Sequence, residues 1–243
     1  MNLESESHPY NFQEPIPDGT RFLIVGTAPP PRFSTPRSNG GRREEWDVDF
    51  YYGSGSNYLW VFLDNIAFKA EGKLLLPEQL SAEQCRDEMR SFLRRHKIWM
   101  HDVLQTYRRN PGKEDSASDN DIVPPPNAKF TNFRTVLEVK SILKLAFTSE
   151  MAAEWTLLAL EEQQLLTNPE HYKAAYSYWR NIDRGLPIEK YIERKFKQPF
   201  AQGQIANRDF CLYVLPSPTA RAPIEGLTLC RKRDIYECVL FRP

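Results

Sequence analysis

The sequence predicts an α/β protein with a central, mainly parallel four-stranded sheet covered by helices on both faces. Three observations carry this. Four short apolar runs, at 22–26, 98–104, 141–147 and 210–215, have the length and β-branched or aromatic content of buried strands. Segments with helical spacing separate them, the arrangement that parallel strands require. Finally, 243 residues with 41% hydrophobic content, including 14 Phe, 11 Tyr and 5 Trp, suffice for one sizeable core. We expect an N-terminal extension over 1–20 and a single domain over 21–243.

Along the chain, Phe22-Leu23-Ile24-Val25-Gly26 lies between a Pro17-Asp18-Gly19 turn and a proline cluster, as a buried strand would. Thr27-Ala28-Pro29-Pro30-Pro31 follows. Consecutive prolines lack N–H donors and hold the chain extended, so a stiff loop is expected there rather than a helix start. Residues 32–49, centred on Ser38-Asn39-Gly40-Gly41-Arg42-Arg43, read as a mobile surface loop. Leu59, Phe62, Leu63 and Ile66 give residues 57–68 an amphipathic helical face. A second helix starts at Ser81, with Gln84 at capping-box spacing, and ends in Arg94-Arg95-His96-Lys97, charges that suit the negative end of its dipole. Residues 112–120 read as another exposed loop, and 150–166, 171–182 and 188–196 as helices.

Composition excludes several classes of function. Thirty-two Lys plus Arg balance 32 Asp plus Glu, so the chain is neither a polybasic nucleic-acid coat nor an acidic tail. Cys85, Cys211, Cys230 and Cys238 form no CxxC pair and are expected to be free thiols. Residues 1–20 lack a basic start and apolar run of the secretory kind, and no run approaches a membrane span. A soluble, cytoplasmic monomer without membrane association is the expectation. His8, His96, His101 and His171 have no His or Cys partner at ligand spacing, so neither a metal nor a cofactor is expected.

Ligands of open α/β sheets bind where loops leave the carboxyl ends of strands. Two such loops, Gly26-Thr27-Ala28-Pro29-Pro30 and Leu215-Pro216-Ser217-Pro218-Thr219-Ala220-Arg221, place prolines and small hydroxyl residues directly after an apolar strand. The result is a rigid turn with donors free to meet an anion. Between them in sequence, Tyr51 and Tyr52 precede a Gly-Ser turn and Asn57, which opens a helix. An aromatic can stack on a base, and an asparagine offers a donor and an acceptor to its edge. As a plainer alternative, the tyrosines are ordinary half-buried aromatics and Asn57 a helix cap. Of the basic pairs, Arg42, Arg43, Arg108 and Arg109 lie in loops where a phosphate could be met. Ser217 has neither a Gly-x-Ser-x-Gly elbow nor a neighbouring histidine, which argues against a nucleophile.

The strand ending in Gly26-Thr27-Ala28-Pro29-Pro30, the Tyr51-Tyr52 to Asn57-Tyr58-Leu59-Trp60 segment and Leu215-Pro216-Ser217-Pro218-Thr219-Ala220 together resemble the uracil-DNA glycosylase superfamily. The likeness is greatest to its mismatch-specific and hypoxanthine-DNA glycosylase branches, whose middle is also similar to 98–104 and to Asp119-Asn120-Asp121-Ile122. The resemblance implies a three-layer α/β/α sandwich. It also implies an enzyme that hydrolyses the N-glycosidic bond of a deaminated or damaged base flipped out of DNA, as in base excision repair. On that basis Gly26, Thr27, Ala28 and Pro29 form the first base-facing loop, Tyr51 or Tyr52 stacks on the base, and Asn57 contacts its edge or orients water. The Pro216-Ser217-Pro218 turn wedges into the duplex, Thr219 belongs to the same base- or DNA-binding loop, and Arg221 meets a phosphate. The chain departs from the family at Ala28, where Asp or Asn is usual, and at Leu215, where the best-known members have a histidine. The hypoxanthine branch also lacks those two groups in part. Asp102 is a replacement carboxylate or, equally, a helix cap. Two alternatives stand beside hydrolysis on DNA: a catalytically silent module that binds a nucleobase, a nucleotide, DNA or a protein partner, and an N-glycosidase for free nucleosides or nucleotides.

Overall fold

The computed structural model describes residues 5–34, 46–77, 80–220 and 224–241, beginning with a two-residue strand, β1 (Glu6–Ser7), ahead of β2 (Phe22–Gly26). Helices α1 (Leu59–Glu71) and α2 (Ala82–Arg95) lead to β3 (Ile98–Asp102). An excursion through β4 (Leu104–Tyr107), β5 (Lys129–Phe130) and α3 (Phe133–Val136) precedes β6 (Lys144–Phe147). Then come α4 (Glu150–Glu162), α5 (Pro169–Arg180) and α6 (Ile188–Ile192), which runs on into a wider, π-type turn at Glu193–Lys197. A hairpin of β7 (Ala201–Ile205) and β8 (Arg208–Val214) and a last helix, α7 (Leu229–Phe241), complete the order.

The main sheet has the order β3-β2-β6-β8-β7. Its first four strands are the expected ones and run parallel, but β7 adds an antiparallel edge, so the sheet is mixed and five-stranded rather than four-stranded. The reason lies in its composition: Ala201-Gln202-Gly203-Gln204-Ile205 buries only its two ends, as an edge strand half in solvent does. Ala206 and Asn207, with φ of 49° and 61°, join it to β8 in a two-residue turn whose twist matches that of paired strands. By contrast, every residue of β2 and β3 is buried, which a sheet covered on both faces demands. Helix α1 packs with α7 and α4 with α5, while α4 also lies against β2 and β6.

Local chemistry accounts for the helix ends. Ser81 Oγ accepts from the Gln84 backbone N–H, and Gln84 Oε1 accepts from that of Ser81, completing the expected capping box of α2. Asn57 Oδ1 accepts from the Leu59 N–H at 2.9 Å, which delays α1 by two residues. The proline cluster does start a helical turn: Pro31 opens a single 3-10 turn at Pro31–Phe33, because a first-turn residue needs no N–H. Among the described residues, no helix is long and apolar enough to cross a membrane.

Register places the site. Gly26 pairs with Asp102, Val25 with Phe147, and Phe147 with Val214, so the carboxyl ends of β2, β3, β6 and β8 finish side by side. A second sheet, β1-β4-β5, sits beyond β3, and through it residues 6–11 of the expected extension reach beneath that edge.

Candidate nucleobase cleft

Loops from the carboxyl edge enclose a cleft of about 870 Å³. Thr27, Ala28, Pro29, Tyr51, Tyr52, Asn57, Asp102, Ser217, Pro218 and Thr219 all line it, although they come from four separate parts of the chain. The tyrosine pair and the C-terminal turn are joined directly, since the Tyr58 N–H donates to the Pro218 carbonyl at 2.8 Å. Gly26 and Pro216 lie behind the lining. A Cβ on Gly26 would collide with the Tyr52 hydroxyl and with Asp102 Oδ1, so glycine is what lets these two side chains meet over β2. Pro216 and Pro218 are buried, and the Pro216 carbonyl accepts from the Tyr236 hydroxyl at 3.0 Å, so of the expected wedge only Ser217 is exposed. Arg221, Arg42 and Arg43 lie outside the described residues.

The N-terminal segment fixes Asp102. His8 Nδ1 accepts from the backbone N–H groups of Tyr10 and Asn11, which leaves the ring proton on Nε2, 2.7 Å from Asp102 Oδ2. Asn11 clamps the same residue from behind: its Oδ1 accepts from the Asp102 N–H and its Nδ2 donates to the Asp102 carbonyl. Asp102 Oδ1 is buried and has no hydrogen-bond partner among the described residues. In a buried carboxylate an unmatched lone pair is expensive and marks a place where a ligand or water would be welcome.

A second carboxyl, Asp119, faces the same space from the 116–121 loop. Thr27 Oγ1 donates to its Oδ2 at 2.7 Å, and Thr27 Oγ1 also lies 3.3 Å from Ser149 Oγ, at the N-terminus of α4. Burial raises the Asp119 acid to about 6, with the Asp102 charge adding to the rise and the Thr27 hydrogen bond opposing it. Asp119 lay in a stretch that resembles the family but received no role from the sequence, because a polar loop reads as solvated until Thr27 and Ser149 are brought over it.

The aromatic walls differ in freedom. Tyr51 is 4% exposed, donates its hydroxyl to Asn11 Oδ1 and packs at ring-centroid distances of 5.3–5.7 Å against Tyr10, Phe50 and His8, so it forms a fixed wall. Tyr52 is half-buried, with a left-handed φ of 55° and its hydroxyl on Thr148 Oγ1 at 2.8 Å. Such a backbone costs a bulky residue about 1 kcal/mol or more and persists where the fold needs the side chain in one place. Burial and the Asp102 charge raise both tyrosine hydroxyls well above their ordinary range, which keeps them protonated donors. Asn57 uses Oδ1 on α1, and its Nδ2 has no hydrogen-bond partner among the described residues.

Two basic residues prove structural. Arg109 is 3% exposed; its guanidinium bonds Glu6 Oε1 at 3.1 Å and the Pro29 carbonyl at 3.0 Å, so it braces loops instead of offering a phosphate contact. Lys232, from the Arg231-Lys232-Arg233 run, is buried under the C-terminal turn and donates to the Ser217 and Thr219 carbonyls at 3.0 and 2.8 Å. Among the described residues, no group of three or more His, Cys, Asp or Glu could hold a metal ion.

No family model matches the chain, and no curated protein matches it. Among solved structures, the chain is similar to a solution NMR structure described as a "putative Uracil DNA glycosylase" from Methanosarcina acetivorans, at 15% identity and a TM-score of 0.46, over 92% of this chain and 93% of that one. A likeness at this level leaves the functional reading to the cleft itself.

Proposed function

We propose that the chain is a DNA glycosylase-like enzyme of base excision repair, with its 21–243 body a single three-layer α/β/α domain. It hydrolyses the N-glycosidic bond of a deaminated or damaged base, of the uracil or hypoxanthine type, in DNA. The observation that carries this reading is the convergence of two tyrosines, an amide and two carboxyls from distant segments on one cleft of about 870 Å³, within the general range of ligand pockets and with ample room for a nucleobase and its sugar. The fully buried strands and the helix pairs α1 with α7 and α4 with α5 support the layered arrangement.

In this mechanism Tyr52 stacks on the base and Tyr51 stiffens the wall behind it. Asn57 Nδ2 meets the base edge, and Asp102 lies under the sugar, where its negative charge favours the sugar cation of the transition state. The C1′–N bond breaks with its electron pair going to the base. Water adds to C1′, and Asp119, ionised at neutral pH, takes its proton. Gly26, Thr27, Ala28 and Pro29 shape the floor, the Pro216–Thr219 turn holds the duplex open and Arg221 meets a phosphate. Duplexes carrying uracil, hypoxanthine or xanthine test this: wild-type protein leaves an abasic site, and Asn57→Ala or Tyr52→Ala loses the activity. Intact substrate at stoichiometric protein would sink the reading.

A silent module that binds a nucleobase, a nucleotide or DNA is the second reading. It is favoured by Ala28 in the lining and by Leu215, which is 1% exposed, because neither brings a polar side chain to the reacting atoms.

A further inference from the structure

We infer that the cleft also accepts a positively charged, N-alkylated purine, held between the aromatic walls and the two aspartates. The inference rests on reading the cleft as a nucleobase site and extends its substrate class. Among the described lining residues, Asp102, Asp119, Glu150 and Glu154 are accompanied by one cation, Arg180, which lies at the rim 3.8 Å from Glu150 and 3.7 Å from Glu154, and Lys195, outside the lining, lies 3.9 Å from Glu150. Deeper in, Arg109 is occupied by Glu6 and by backbone carbonyls. His8 answers only Oδ2 of Asp102, while Oδ1 is buried and unmatched among the described residues.

Neutral uracil or hypoxanthine can give such a site one edge N–H and no net charge. A cationic purine gives it amino or ring N–H donors together with net charge, and charge pairing strengthens as water leaves the cleft. The half-buried ring of Tyr52, which lines the cleft, would attract the same cation through its quadrupole. Chemistry agrees with electrostatics. A neutral base that leaves with the bonding electron pair departs as an anion, and no charged donor in the described lining is free to stabilise it. A cationic base leaves neutral: the C1′–N bond breaks, its electron pair discharges the ring, and water adds to C1′ while its proton passes to Asp119 and on to solvent.

The test compares 1-methyladenosine, a cation at neutral pH, with its neutral isomer N6-methyladenosine, by calorimetric titration of the full chain at low salt. In parallel, single-turnover release is followed from duplexes carrying 7-methylguanine, uracil or hypoxanthine. The cation should bind about tenfold more tightly than its isomer, the size of a desolvated cation–π contact. The preference should shrink in Asp119→Asn and Asp102→Asn, and 7-methylguanine should be released. Equal binding of the isomers overturns the inference, and this wild-type comparison stands even where a variant folds poorly. Release of uracil or hypoxanthine with 7-methylguanine left intact overturns it while leaving the proposed function in place. If neither nucleoside binds and no base leaves, both fall.

Discussion

Gly26 and Asp119 show how single positions set the chemistry. Gly26→Ala puts a methyl group into the Tyr52 hydroxyl and Asp102, and such overpacking costs about 1–3 kcal/mol. Urea unfolding should show that loss, and an unchanged midpoint would contradict the packing described. Asp119 carries a stability cost of the opposite kind. Because its folded acid lies at about 6, against 3.8 for the free group, the folded chain binds this proton more tightly. Its contribution is therefore present below pH 3.8 and lost as pH rises through 6, about 3 kcal/mol in all. Asp119→Asn should raise stability at pH 7 by about 1–3 kcal/mol and give no gain near pH 4, while base release falls by about 100-fold. Urea midpoints at the two pH values check this; an equal difference at both would contradict it. At this scale the positions of Thr27, Asn57 and Asp102 at the cleft were legible, since each ends or follows a strand or shortly precedes a helix. Asp119 and His8 were not, because their roles come from partners 92 and 94 residues away.

Elements carry the next layer of the account. The C-terminal turn owes its shape to α7, whose Lys232 and Tyr236 hold three carbonyls between Pro216 and Thr219. Removing a buried donor while its acceptors stay costs about 1–3 kcal/mol. Lys232→Met should therefore speed hydrogen exchange at the amides around Ser217 and weaken base release more than it weakens global stability. Unchanged exchange there would refute the bracing role. Helix α7 was hidden in the sequence by the Arg231-Lys232-Arg233 run, which reads as solvated charge until Lys232 is seen at 1% exposure. Strand β7 was hidden by its glutamines. Strands β2, β3 and β6 were visible because burial on both faces leaves near-continuous apolar runs, and β8, which alternates buried with partly exposed positions, because Phe210-Cys211-Leu212-Tyr213-Val214 is apolar and aromatic.

For the whole molecule, zero formal charge conceals an acidic cleft. Its carboxyl pair makes activity pH-dependent: with Asp119 as the proton acceptor, the rate rises through about pH 6 and levels above it, and Asp119→Asn flattens the profile. Groups that bear on this titration are Asp102 from β3, Arg109 after β4 and the hydroxyls of Thr27 and Ser149. The most direct measurement is single-turnover release of base from a duplex with one uracil or hypoxanthine, for wild type and Asn57→Ala. The account predicts an abasic site with wild-type protein and at least a roughly 100-fold slower reaction with the variant. Equal rates for the two proteins, or a duplex that wild-type protein leaves whole, would contradict it.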